Sequence, residues 1–106
     1  MQSTTTLPRA RQLIAQCARA VHQGKAPVDA VLKTTEGRQI LALGEQVLPV
    51  LIEEIERYPG VCSVALAQIT EADPVPHGWE RDVKSVIHCW KKWSWGNPRV
   101  DRYRAA

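Results

Sequence analysis

The side chains able to do covalent or metal chemistry in this sequence are few: three cysteines, Cys17, Cys62 and Cys89, and three histidines, His22, His77 and His88. A thiol nucleophile needs a base within hydrogen-bond reach, and a tetrahedral metal needs Cys or His ligands spaced so that two of them share one centre. The linear pattern provides neither. No two of these residues have C-x-x-C or H-x-x-x-H spacing, and the neighbours His88 and Cys89 would diverge by about 100° on a helix, out of each other's reach. Cys89 reads as a core thiol. The acid cluster Glu53, Glu54 and Glu56 lacks the mutual facing that a two-carboxylate mechanism requires. The six glycines stand singly at the ends of apolar segments, so there is no glycine-rich phosphate loop. These residues argue against an enzyme, and no catalytic residue, metal or cofactor is expected.

Size and charge narrow the remaining classes. With 106 residues, 44% hydrophobic and 24% charged, the chain has the composition of one small folded domain, and a deep substrate cavity is not expected. Fourteen Lys and Arg against 11 acids leave a net charge of +3, modest enough that the distribution of charge matters more than its total. No apolar run approaches the roughly 18 to 20 residues that cross a bilayer, and Met1 to Thr6 has neither a basic nor an apolar leader region. An odd set of cysteines without paired spacing reads as reduced thiols. The expectation is a cytoplasmic protein with no membrane partner and no small-molecule substrate.

The elements that would position a site are helices broken by Gly or Pro. Pro8 suits a first turn, and Ala10, Leu13, Ile14, Cys17 and Val21 recur at helical spacing until Gly24. Pro27 opens a short segment with Val28, Val31 and Leu32, and Thr34-Thr35 offers a cap for another that ends at Gly44. The most informative stretch is Leu43 to Ile55, where a helix-closing glycine is followed by Pro49 and an amphipathic stripe of Val47, Leu48, Leu51, Ile52 and Ile55. Tyr58-Pro59-Gly60 ends that helix. Val61 to Ile69 reads as a further helix, Glu71 to Trp79 as a proline-rich loop, and Asp82 to Trp95 as the last helix, stopped by Gly96-Asn97-Pro98. The fold class is all-α: a compact bundle of about five to six short helices in antiparallel pairs. Residues 1–98 form the domain, and residues 99–106 a mobile basic tail.

The segment from Arg38 to Ile55 resembles one unit of a HEAT-like helical repeat, in which a helix ends at a glycine and its partner opens with a proline followed by Leu-Ile; here these are Gly44 and Pro49-Val50-Leu51-Ile52. A later stretch, Ala65-Leu66-Ala67-Gln68-Ile69-Thr70-Glu71-Ala72-Asp73-Pro74-Val75-Pro76 with Trp90 and Trp93 downstream, looks like a group of short uncharacterised bacterial helical domains. Their pattern is Ala-Leu-x-x-Ile-Thr-Gly-x-x-Pro ahead of a Trp-rich last helix, and Glu71 stands where it has glycine. The resemblances imply a helical scaffold that binds other macromolecules without catalysis.

On a helical wheel, Val83, Val86, Ile87, Trp90, Trp93 and Ser94 fall on the apolar side of the last helix. The opposite side collects Arg81, Lys84, Ser85, His88, Lys91, Lys92 and Trp95 without one acid, and the tail adds Arg99, Arg102, Tyr103 and Arg104. Such a face reads either as a solvated exterior or as an interface; Trp95, an aromatic among cations, favours the interface. Trp79 reads as a staple onto Val83, four residues on. The expected function is a bacterial-type protein-interaction module, of an adaptor, antitoxin or immunity kind, using this basic and aromatic face. Glu53, Glu54 and Glu56 form a second candidate surface. The alternative is a nucleic-acid binder with Lys84, Lys91, Lys92, Arg99, Arg102 and Arg104 on phosphates and Trp95 or Tyr103 stacking on a base.

Overall fold

The computed structural model describes residues 2–79 and 81–104, with side chains from Pro8 onward. Six α-helices and two 3₁₀ segments make up its regular structure, and no strand occurs among the described residues. Helix α1, Gln2–His22, buries Ala10, Leu13, Ile14 and Cys17, the spacing of one helical stripe. It begins before Pro8, which stands inside the helix rather than opening it. Gly24, at φ +74°, ends it as expected: the Gly24 N–H donates to the Val21 carbonyl and the Lys25 N–H to that of Ala20, a left-handed closure that glycine adopts without steric cost.

A 3₁₀ segment, Val28–Lys33, follows Pro27 and buries Val31 and Leu32. Thr34 joins it to α2, Thr35–Leu43. Its hydroxyl donates to the Val31 carbonyl at 2.6 Å and accepts the Gly37 N–H at 3.2 Å, closing one element and capping the next. Gly37 is pressed against that 3₁₀ segment so closely that a Cβ would lie 2.4 Å from both the Leu32 Cα and the Val31 carbonyl oxygen.

Gly44, at φ +64°, turns the chain into a second 3₁₀ segment, Gly44–Val47, which runs into α3, Leu48–Glu54. Pro49 and Val50 are buried along with Leu48, Leu51 and Ile52. The expected stripe is buried, and Pro49 and Val50 widen it: α3 is covered on most sides, and only Glu53 of the helix is exposed. The residues that cover it come from α1, α4 and the far end of the chain. Tyr58-Pro59 both ends the turn after α3 and starts α4, Pro59–Thr70, with proline at a first-turn position where no N–H is needed. Glu71 closes α4 in the left-handed conformation at φ +58°.

After an irregular stretch, α5 runs over Val83–Ser94 and buries Val86, Trp90 and Ser94. The mobile tail expected after residue 98 is corrected. Pro98–Arg104 forms a further helix, α6, packed on α3 and on the second 3₁₀ segment, with Val100 fully buried. Asn97 starts it, its side-chain oxygen accepting the Arg99 N–H at 3.0 Å, and Pro98 follows at the first helical position. Arg99 fastens it: its guanidinium lies 2.7 Å from the Glu45 carboxylate and donates to the Thr70 carbonyl at 3.2 Å, so the end of α4 meets the start of α6. Ala105 and Ala106 lie outside the described residues.

The core is formed by Leu13, Ile14, Ile40, Leu48, Leu51, Ile55 and Leu66, all essentially inaccessible. Among the described residues every buried side-chain nitrogen and oxygen has a hydrogen-bond partner, and no helix is long and apolar enough to cross a membrane.

Candidate interaction surface

Asp82 precedes α5, and the Ser85 hydroxyl donates to its carboxylate at 2.8 Å. That bond, helped by the Ser85 and Lys84 backbone, holds the carboxyl below its ordinary range. From this start α5 projects Lys84, His88 and Lys92 at four-residue spacing along one side, with Arg81 just before and Trp95 just after the helix. Arg81, Lys84, His88, Lys92 and Trp95 are all exposed, as the wheel anticipates. No ion pair engages Arg81, Lys84 or Lys92 among the described residues. His88 meets Trp95 edge to face, with ring centroids 6.4 Å apart.

Three large apolar side chains remain exposed among the described residues: Trp79 at 53%, Val83 at 52% and Trp95 at 65%. All three belong to α5 and the segments at its two ends. Val83, on the apolar side of the wheel and expected in the core, is corrected. Val83 is the first residue of α5, and the helix meets α3 and α4 chiefly through Val86, Trp90 and Ser94 further along. Trp79 borders an open cleft of about 470 Å³ with Pro74, Pro76, His88, Cys89, Lys92 and Trp93. Trp93 is half-buried there and stacks edge to face on Trp90, with centroids 5.4 Å apart. Cys89, expected as a core thiol, lies at the wall of this cleft and is only partly buried.

Of the remaining predicted residues, Lys91, Arg99 and Arg104 are engaged within the chain. Lys91 turns towards α3 and pairs with Glu56 at 2.8 Å. Arg99 is taken up by Glu45 and Thr70, and Arg104 pairs with Asp101 at 3.2 Å. Arg102 is exposed and Tyr103 half-buried on α6. The acids of the second candidate surface face cations: Arg11 of α1 lies 2.8 Å from Glu53 and 3.4 Å from Glu54, and Lys91 holds Glu56. Apart from Arg104 and Asp101, three residues apart on α6, each partner comes from an element distant in sequence, which the wheel of one helix cannot anticipate.

The chemistry-bearing groups stay apart. Burial pushes the Cys62 thiol far up, with Glu54 adding to the effect, and also raises Cys17, where the Thr34 hydrogen bond only partly opposes it. Both are poor nucleophiles. No group of three or more His, Cys, Asp or Glu suited to a metal ion occurs among the described residues.

A second cleft, of about 490 Å³, lies between α1, the Val28–Lys33 segment and the start of α4. Sequence reasoning missed it because its walls come from three separated stretches. Comparison with known proteins gives no match: no protein family, curated protein or solved structure aligns with this chain.

Proposed function

We propose that this protein is a non-enzymatic interaction module of HEAT-like, bacterial type, acting in the cytoplasm and binding a protein partner through the surface built on α5. One observation carries the reading. The exposed large apolar side chains of the described residues gather at one element, beside a one-signed row of cations. Aromatic side chains in such a setting act as anchors that a partner desolvates, while the surrounding charges select an acidic contact and speed encounter. His88 ties the parts together, since it lines the Trp79 cleft and contacts Trp95.

The nucleic-acid reading has less support. Of its six phosphate contacts, Lys91, Arg99 and Arg104 are engaged in ion pairs within the chain, which leaves Lys84, Lys92 and Arg102. Affinity capture from an extract of the source organism distinguishes the two, with and without nuclease and across a salt series. The protein reading expects a partner that survives nuclease and moderate salt, and that Trp79→Ala and Trp95→Ala each weaken by about 2 kcal/mol or more. Recovery of nucleic acid, with a salt slope reduced by about one unit on removing Lys84 or Lys92, would replace it.

A further inference from the structure

The cleft between α1 and the start of α4 has a composition of its own. Its apolar lining includes Ala18, Val21, Val28 and Val61 with Tyr58 beside them, Arg19, His22 and Arg57 are its basic residues, and no acid is among the described residues that line it. All three basic residues are exposed, and none is ion-paired among the described residues. Arg19 and His22 stand in the last turn of α1, where cations also complement the helix dipole. Arg57 stands just past the end of α3, its backbone N–H donating to the Glu54 carbonyl at 3.0 Å. It comes from the turn between α3 and α4, so the fold brings arginines from two separate elements to one apolar hollow. Gly60 keeps the hollow open, for a Cβ there would lie 3.1 Å from the Val28 Cγ2.

A guanidinium remains charged at any physiological pH and matches a carboxylate in shape. Paired with an apolar lining, two of them suit a molecule that is apolar along its body and anionic at one end. The volume of about 490 Å³ lies within the range of small-ligand sites. We propose that this cleft binds a small aliphatic carboxylate, its chain laid on the apolar lining and its head met by Arg19 and Arg57. The site is independent of the surface on α5.

Octanoate, octan-1-ol and octylammonium, titrated into the ¹⁵N-labelled full chain, test it. Octanoate should bind saturably to one site and shift amides of residues 15–22 and 57–61, with octan-1-ol and octylammonium weaker by about tenfold or more. Arg19→Gln combined with Arg57→Gln should lose a similar factor while the circular dichroism stays unchanged, and Lys84→Gln combined with Lys92→Gln should lose nothing. Should the arginine pair prove necessary for folding, Gly60→Ala retains both cations and must still weaken octanoate by narrowing the cleft. Equal binding of octan-1-ol, shifts centred on α5, no saturable binding, or full affinity in the arginine variant would each overturn the proposal. So would capture by phosphatidylglycerol vesicles that depends on both arginines without a response to free octanoate, because that assigns the cations to a membrane surface.

Discussion

Arg99 holds Glu45 through two of its nitrogens, Nε and Nη2, which lie 2.9 and 2.7 Å from the same carboxylate oxygen. Its third nitrogen is given to the Thr70 carbonyl. The two side chains are 38% and 33% exposed, so water screens the attraction, and the whole arrangement stabilises by about 1 to 2 kcal/mol rather than the larger figure of a buried pair. Arg99→Ala should lower the unfolding free energy read from urea melts by that amount. Arg99→Lys should recover only part, since an ammonium cannot span both acceptors. An unchanged midpoint in Arg99→Ala would mean that α6 is held by Val100 alone.

Trp90 and Trp95 should separate cleanly in stability. Trp90 is 2% exposed and Trp95 65%, so Trp90→Ala leaves a cavity that costs about 3 to 5 kcal/mol, while Trp95→Ala changes stability by less than about 1 kcal/mol. Denaturant melts of the two variants check this; a reversed order would place Trp95 in the core.

Gly37 admits no side chain. A Cβ would collide with the backbone of Leu32 and Val31 at 2.4 Å, and backbone cannot move aside as a flexible side chain can. Gly37→Ala should therefore destabilise by several kcal/mol, about 3 or more, despite alanine's better helix propensity. At the exposed helical position Gln39 the change to Ala should stay within about 0.5 kcal/mol. Thermal melts of both variants decide whether α2 and the preceding 3₁₀ segment pack as tightly as described.

The buried thiols give stability an alkaline limit. Burial raises the thiol of Cys62, and less completely that of Cys17, so the folded chain keeps protons that the unfolded chain releases from about pH 8.5 upward. Their contribution is whole below that pH and declines as pH rises towards the folded values. Urea midpoints at pH 7 and 9.5 should differ more in the wild type than in Cys62→Ala. Equal differences would show that other groups set the alkaline loss.

The helices were legible where local rules act alone. Gly24 and Gly44 closing helices, the Thr34 cap and the Pro27 start are properties of a few consecutive residues, and each stands where the sequence places it. The buried and exposed sides of α5 likewise follow from helical spacing at Val86, Trp90, Ser94, His88 and Lys92. What failed depends on contacts between distant segments. Asn97-Pro98 carries the local signature of a helix start as well as a stop, but only α3, waiting to be covered, decides for the start. Lys91 looks outward on the wheel until Glu56 is placed beside it. Glu71 likewise gives no local sign of the left-handed backbone it adopts at the end of α4, at a strain of about 1 kcal/mol.

The bond from Arg99 to the Thr70 carbonyl clips together the two feet of a long excursion of the chain, residues 71–98, which carries Trp79, α5 and Trp95. Val86, Trp90 and Ser94 plug that excursion into the core, and its departure and return points lie side by side at that bond. It can therefore open as a unit of its own, at less than the free energy of global unfolding, and its amides should exchange together. For engineering this makes the excursion a cassette. Its outward residues can be rewritten to meet a different partner while the frame, from α1 to α4 with α6 as the latch, stays as it is.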